Sequence, residues 1–101
     1  MDYACITITK RDGSKENFSI EKIERAIAKA YRADGMNDDE ASIKQVTAEV
    51  AAAIDRENIS VEDIQDLVER KLMMRNPSVA KKFIIYREWR TKEREKRTSM
   101  K

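Results

Sequence analysis

Lys10, Arg11, Glu16 and Lys22 crowd into one stretch near the start of the chain, and Arg87 and Arg90 stand one helical turn apart near its end. Cations at such spacings hold anions, so the chemistry to consider first is phosphate binding. On a strand over residues 4–9, Lys10 has the parity of Ile6 and Ile8 and so points towards the rim of the buried face. Glu16 shares parity with Phe18 on the return strand, which puts opposite charges beside the same apolar face. A rim ion pair and one wall of an anion pocket both fit that pattern. Lys22 falls in the first turn of the next helix, where the macrodipole disfavours a cation, and Glu21 offsets part of that cost. The unpaired N–H groups of that turn, with Lys22 beside them and Lys10 and Arg11 approaching, have the parts of a phosphate site. On the last helix, the apolar stripe of Ala80, Phe83 and Ile84 continues onto Arg87 and Arg90. Snorkelling at a bundle end accounts for one such arginine, whereas two, with the other cations, form a patch suited to a polyanion.

Other chemistries lack their residues. The chain has no His and one Cys, so Cys5 has no intrachain partner, a structural zinc site is excluded, and Cys5 reads as a small strand residue. There is no Gly-rich phosphate loop, no GxGxxG, no Cys nucleophile with a base and no carboxylate pair suited to hydrolysis. A nucleotide bound here would be held and not turned over.

The elements that must position these residues follow from periodicity. "ACITIT" (4–9) alternates as a half-buried strand, Arg11 to Ser14 supply an Asp-Gly turn, and Lys15 to Phe18 return as a second strand. Ser19 is a good N-cap, with Phe18 and Ile23 spaced as a hydrophobic staple. The helix it opens runs to about Ala33, with Ile20, Ile23, Ile27 and Ala30/Tyr31 inward, and Asp34-Gly35 ends it. A second helix spans about Asp38 to Arg56, with Ile43, Val46, Val50 and Ile54 inward. Ser60 caps a third, Asp63 suits a capping box, Ile59 and Ile64 form its staple, and Ile64, Leu67, Val68 and Leu72 face in. Asn76-Pro77 opens a fourth, which passes Phe83 and Tyr86 and reaches at least Arg90. The fold class is therefore α+β, mainly α: a four-helix bundle capped by a small N-terminal β-hairpin or sheet.

Composition agrees with one mainly helical domain. Of the 101 residues 40% are charged, and there are only two Gly and one Pro. No apolar run is long enough to cross a bilayer and no signal peptide opens the chain, so a cytoplasmic location is expected, with no membrane partner. The net charge of +2 hides an asymmetry: residues 81–101 hold nine Lys or Arg against three Glu, and the rest is mildly acidic. Such a basic end binds nucleic acid in some proteins and is a solvated helix end in more.

Three segments together, "KRDGSKENFSIEKIERAIAKA" (10–30), "ISVEDIQDLVERKLM" (59–73) and "VAKKFIIYREWR" (79–90), resemble the ATP-cone, the regulatory nucleotide-binding domain found chiefly in ribonucleotide reductase subunits. The likeness runs from about Ile6 to Arg90, with the motifs in the family's order. It implies a four-helix bundle under a small sheet that takes ATP or dATP as alternative effectors, with Mg²⁺ accompanying the triphosphate and no protein ligand assigned to it. It further implies an overall activity switch acting through oligomer contacts, so self-association or other reductase subunits are the expected partners and nucleic acid is not. Residues 1–95 are assigned to this domain and 96–101 to a basic tail or linker.

Carried over position by position, Lys10 and Arg11 match family residues on the phosphates, and Gly13 is the turn glycine. Glu16 matches a carboxylate at the nucleoside end, with Ile8 and Phe18 lining the pocket beside it. Lys22 and Ile23 match first-helix residues that close over the nucleotide, and Gln65 a third-helix polar residue near the base or phosphates. Arg87 and Arg90 match fourth-helix cations on the phosphates. No catalytic barrel, radical site or iron-ligand set lies in these 101 residues, so the chain is expected to be non-catalytic, whether excised from a longer reductase or free-standing. The related transcriptional repressor carries a Cys-rich ribbon that this sequence lacks. The alternative reading is a nucleic-acid-binding helical domain that uses the basic C-terminal tail.

Overall fold

The computed structural model describes residues 6–35 and 39–99, with side-chain surroundings through residue 93. The readings of Ala4, Cys5 and Asp38 lie outside those residues. Three short strands and four helices follow in the order β1 (Thr7–Thr9), β2 (Lys15–Asn17), α1 (Ile20–Ala33), α2 (Glu40–Ala53), β3 (Asn58–Ser60), α3 (Val61–Arg75) and α4 (Pro77–Ser99). The expected α+β architecture is what forms.

The hairpin closes as its sequence dictates. Asp12 Oδ1 accepts from both the backbone N–H (2.9 Å) and the hydroxyl (2.6 Å) of Ser14, and Gly13 takes φ +88°, a region costly for any residue with a Cβ. Lys10 N–H donates to Ser14 O at 2.8 Å and locks the turn. In the ladder, Thr7, Ile8 and Thr9 face Asn17, Glu16 and Lys15.

A third strand is the main departure from the expected hairpin. Asn58–Ser60 runs parallel to β1, giving the order β2-β1-β3 with Ile8 opposite Ile59. Three residues are too few to show alternation, and Ile59 reads equally well as the staple of α3; it is in fact buried against β1 as well. The same pairing shortens α2, expected to reach Arg56. The helix ends at Ala53 because Ile54 turns extended and the chain must arrive at β1, where Thr7 N–H donates to Glu57 O at 2.7 Å.

The helix termini follow local chemistry, with one exception. Asp39 accepts from Ser42 N–H, Ser60 from Asp63 N–H at 3.0 Å, and Asn76 from Val79 N–H. Ser19 holds the N-cap position of α1 in extended geometry, yet its hydroxyl makes no cap bond and donates to Glu21 at 3.1 Å. The Asp63 carboxylate lies 3.6 Å from Arg56. At the far end of α1, Gly35 adopts φ +82° and stops the helix.

Packing runs around the bundle: α1 lies on α2 and α4, and α3 on α2 and α4. Ile27, Tyr31, Val46, Val50, Leu72 and Val79 are all at most 1% exposed at its centre. Each buried aliphatic side chain contributes about 1.5–3 kcal/mol. The sheet covers one side with Ile6, Ile8 and Ile59. α4 continues through Ser99, so the backbone is helical across most of the expected tail.

Candidate functional site

A cleft of about 440 Å³ opens where β1 and β2 meet α1, α3 and α4. Its floor is apolar: Ile8 from the sheet, Ile23 and Ala26 from α1, Ile64 and Val68 from α3, and Phe83 from α4. Its polar lining is mostly cationic. Lys22, Arg25 and Lys29 come from α1, and Arg87 and Arg90 from α4, against a single carboxylate among the described lining residues, Glu16. An apolar floor with convergent charge, in a volume typical of small-molecule sites, fits a ligand with a flat apolar part and an anionic arm.

Of the residues singled out in the sequence, Ile8, Glu16, Lys22, Ile23, Gln65, Arg87 and Arg90 line this cleft. Lys10, Arg11, Gly13 and Phe18 are not among its lining residues. Gly13 is at the exposed hairpin tip, and Phe18 packs half-buried against the core. Lys10 stands behind Glu16, whose Oε2 is 3.3 Å from Lys10 Nζ and 3.4 Å from Lys22 Nζ. The rim ion pair is therefore present, and it belongs to the cleft wall. The hydrogen bond from Lys10, helped by the charges of both lysines, holds the Glu16 carboxyl below its ordinary range despite some desolvation.

The arginines divide into two groups. Arg25 and Arg90 make no ion pair among the described residues and are exposed at the cleft. Arg87 is only 18% exposed in its side chain and is held by three carboxylates of α3: Asp66 at 2.9 Å, Glu69 at 2.7 Å and Glu62 at 2.8 Å. Burial works against the Arg87 charge, but the hydrogen bonds to Glu62, Glu69 and Asp66 outweigh it and hold the group above its ordinary pKa. Arg11, expected on the phosphates, binds Glu62 at 2.6 Å and reaches Thr91 Oγ1 at 3.5 Å.

Several lining residues escaped the sequence reading. Arg25 and Lys29 follow Lys22 at steps of three and four, a cationic stripe beside the buried Ile23 and Ile27, and that spacing was the available signal. Tyr86, which the sequence marks only as a position along α4, lies at the cleft as well; the Lys29 ammonium sits 5.7 Å from its ring centroid and Trp89 stacks beside it at 6.5 Å. Gln65 Oε1 is buried in the cleft wall with no hydrogen-bond partner among the described residues, which leaves an acceptor for a ligand N–H or O–H.

The ATP cone domain model matches residues 6–92. The chain belongs to the ATP-cone family. Residues 6–92 of the cone take in all three strands, α1 to α3 and the cleft-lining part of α4. Relatives of the cone include the anaerobic ribonucleoside-triphosphate reductase of Haemophilus influenzae, 40% identical over 97 residues, spanning 92% of this chain and 14% of that protein. The alpha subunit of ribonucleoside-diphosphate reductase from Chlamydia pneumoniae is 36% identical over 100 residues, 88% of this chain and 10% of the relative. The vitamin B12-dependent ribonucleoside-diphosphate reductase of Thermoplasma acidophilum is 38% identical over 102 residues, 92% and 13% respectively. The cone thus spans roughly a tenth to a seventh of the length of the reductases it matches. Family membership supports a nucleotide-binding regulatory role for it.

Among the described residues no helix is long and apolar enough to cross a membrane, and no group of three or more His, Cys, Asp or Glu side chains could hold a metal ion. A magnesium ion carried by a triphosphate does not need such a cage, because Mg²⁺ keeps waters and binds chiefly through phosphate oxygens.

Proposed function

We propose that the cleft binds a nucleoside triphosphate effector, ATP or dATP, with Mg²⁺ on its phosphates, and that the bound cone controls the overall activity of a ribonucleotide reductase without itself catalysing a reaction. The observation that carries this reading is the convergence of Lys22, Arg25 and Lys29 from α1 with Arg90 from α4 over an apolar floor. Separate helices supply the cations, so a polyphosphate between them bridges α1 and α4 and can bias how they sit. Ile8, Ile23, Glu16 and Gln65 form the nucleoside end, where the unpartnered Gln65 oxygen awaits a donor. Lys10 acts through Glu16, and Phe18 and Gly13 support the hairpin that presents both. ATP and dATP differ by one hydroxyl, so regulation requires two states of the cone with slightly different affinities for them, read out by self-association or by contact with other reductase subunits.

Calorimetry with ATP and dATP on the native chain and on Lys22→Ala with Arg90→Ala tests the site. Native binding that falls roughly tenfold or more in the double variant is expected; no binding by the native chain would sink the reading. Duplex DNA in the same titration separates the nucleic-acid alternative, because its affinity would fall steeply with salt and depend on the basic tail.

A further inference from the structure

Glu62, Asp66 and Glu69 sit on one stripe of α3, and all three point at the same guanidinium. Arg87 Nη1 donates to Asp66 and Glu69, and Nη2 to the carboxylate of Glu62 at 2.8 Å and its carbonyl oxygen at 3.5 Å. Glu62 also takes Arg11 from the hairpin at 2.6 Å. Thr91 completes the link, accepting from Arg11 and donating to Arg87 O at 3.1 Å. Three carboxylates thus face two arginines, and the cluster carries a net charge of −1. It ties the hairpin, α3 and α4 together at the edge of the cleft.

That charge balance matters because Arg87 also lines the cleft. A phosphate arriving beside Arg90 meets a guanidinium whose Nη1 and Nη2 are already engaged by acceptors, backed by an excess negative charge. The acids are 43%, 56% and 27% exposed for Glu62, Asp66 and Glu69, so water can take over their solvation if an arginine leaves. Arg87 itself is only 18% exposed, so the exchange needs an acceptor that reaches the guanidinium from the cleft side, not water alone. A triphosphate offers the same guanidinium several charge-assisted acceptors at once.

We propose that the α3 acidic stripe competes with the effector for Arg87 and Arg11, so that Glu62, Asp66 and Glu69 set the affinity of the cleft for its polyphosphate arm. Binding then draws the arginines off α3 and releases the tie between the hairpin, α3 and α4. The inference rests on the cleft being the polyphosphate site. It makes the acids, which touch no ligand, affinity-determining positions, and it predicts that removing a negative charge behind an arginine strengthens binding even though it removes an ion pair from the free protein.

The experiment titrates inorganic tripolyphosphate, ATP and adenosine into the native chain, Asp66→Asn, Glu69→Gln and Glu62→Gln, with melting temperatures taken alongside. Tripolyphosphate and ATP should bind each acid variant roughly threefold or more tightly than the native chain, with adenosine unchanged. Arg87→Gln should weaken tripolyphosphate binding instead. Unchanged or weaker tripolyphosphate binding in Asp66→Asn, at the most exposed of the three acids, overturns the inference, as does an Arg87→Gln chain that binds like the native one. Should the native chain bind no ATP, the nucleotide reading falls by itself; the competition is still decided by whether tripolyphosphate affinity rises from native to Asp66→Asn.

Discussion

Ile8 and Glu16 stand directly opposite each other where β1 pairs with β2, so a floor residue of the cleft and a carboxylate that lines it share a rung of the ladder and a face of the sheet. Directly opposed side chains always share a face, which is why Glu16 borders the apolar cleft and meets Lys10 and Lys22 there. The pairing depresses the Glu16 carboxyl below its ordinary 4.5, chiefly through the Lys10 hydrogen bond. A depressed carboxylate contributes stability that is present above its unfolded pKa and is lost as pH falls through the folded one. The stability difference between the native chain and Glu16→Gln is therefore expected to be larger at neutral pH than at acid pH well below 4.5. Urea denaturation of both chains at the two pH values checks it, and an unchanged difference contradicts it.

Gly13 has nothing within 4 Å of where a Cβ would stand, so the effect of Gly13→Ala reduces to its φ of +88°. The substitution should cost roughly 1–2 kcal/mol without disturbing any neighbour. Chemical denaturation with an unchanged m-value is the expected result, and no loss of stability would place the turn in a different conformation.

Tyr31 is 1% exposed, and burial, reinforced by the Asp39 charge, raises its phenol above the ordinary 10.0. The neutral phenol is favoured in the fold, so this contribution is complete below pH 10 and declines as pH rises through the folded pKa. Native stability should fall more steeply than that of Tyr31→Phe on going from neutral to strongly alkaline solution. Parallel alkaline slopes in thermal melts of the two chains would contradict the expectation.

Trp89 is the sole tryptophan, half exposed and stacked on Tyr86, whose ring also faces Lys29 at the cleft. A polyphosphate that recruits Lys29 lifts it from the ring and alters the surroundings of the indole. ATP should therefore change Trp89 emission in proportion to occupancy, and Tyr86→Leu should diminish the change. Emission that stays constant while calorimetry reports saturation would show that α4 does not sense the ligand.

Most of the fold was legible in the sequence because its elements announce themselves locally. Ile23, Ile27, Ala30 and Tyr31 repeat at helical spacing and are buried. Asp12-Gly13 marks the turn by backbone chemistry that needs no distant partner. β3 was not legible: Asn58–Ser60 is a strand only because β1 is beside it, and the shortened α2 follows from the same distant partner.

For the cleft, the sequence by itself singled out the charges that border apolar faces, because strand parity, the first turn of α1 and the interrupted stripe of α4 mark Lys10, Glu16, Lys22, Arg87 and Arg90. Only the tertiary structure decided which of these charges are free. Arg90 has no ion pair among the described residues, and α1 adds Arg25 to the same cleft. Arg11 and Arg87 are instead claimed by Glu62, Asp66 and Glu69, acids of α3 that lie far from either arginine in sequence. Whether a cation is available depends on the carboxylates within a few ångströms of it, and that distance is set by how helices pack, not by spacing along the chain.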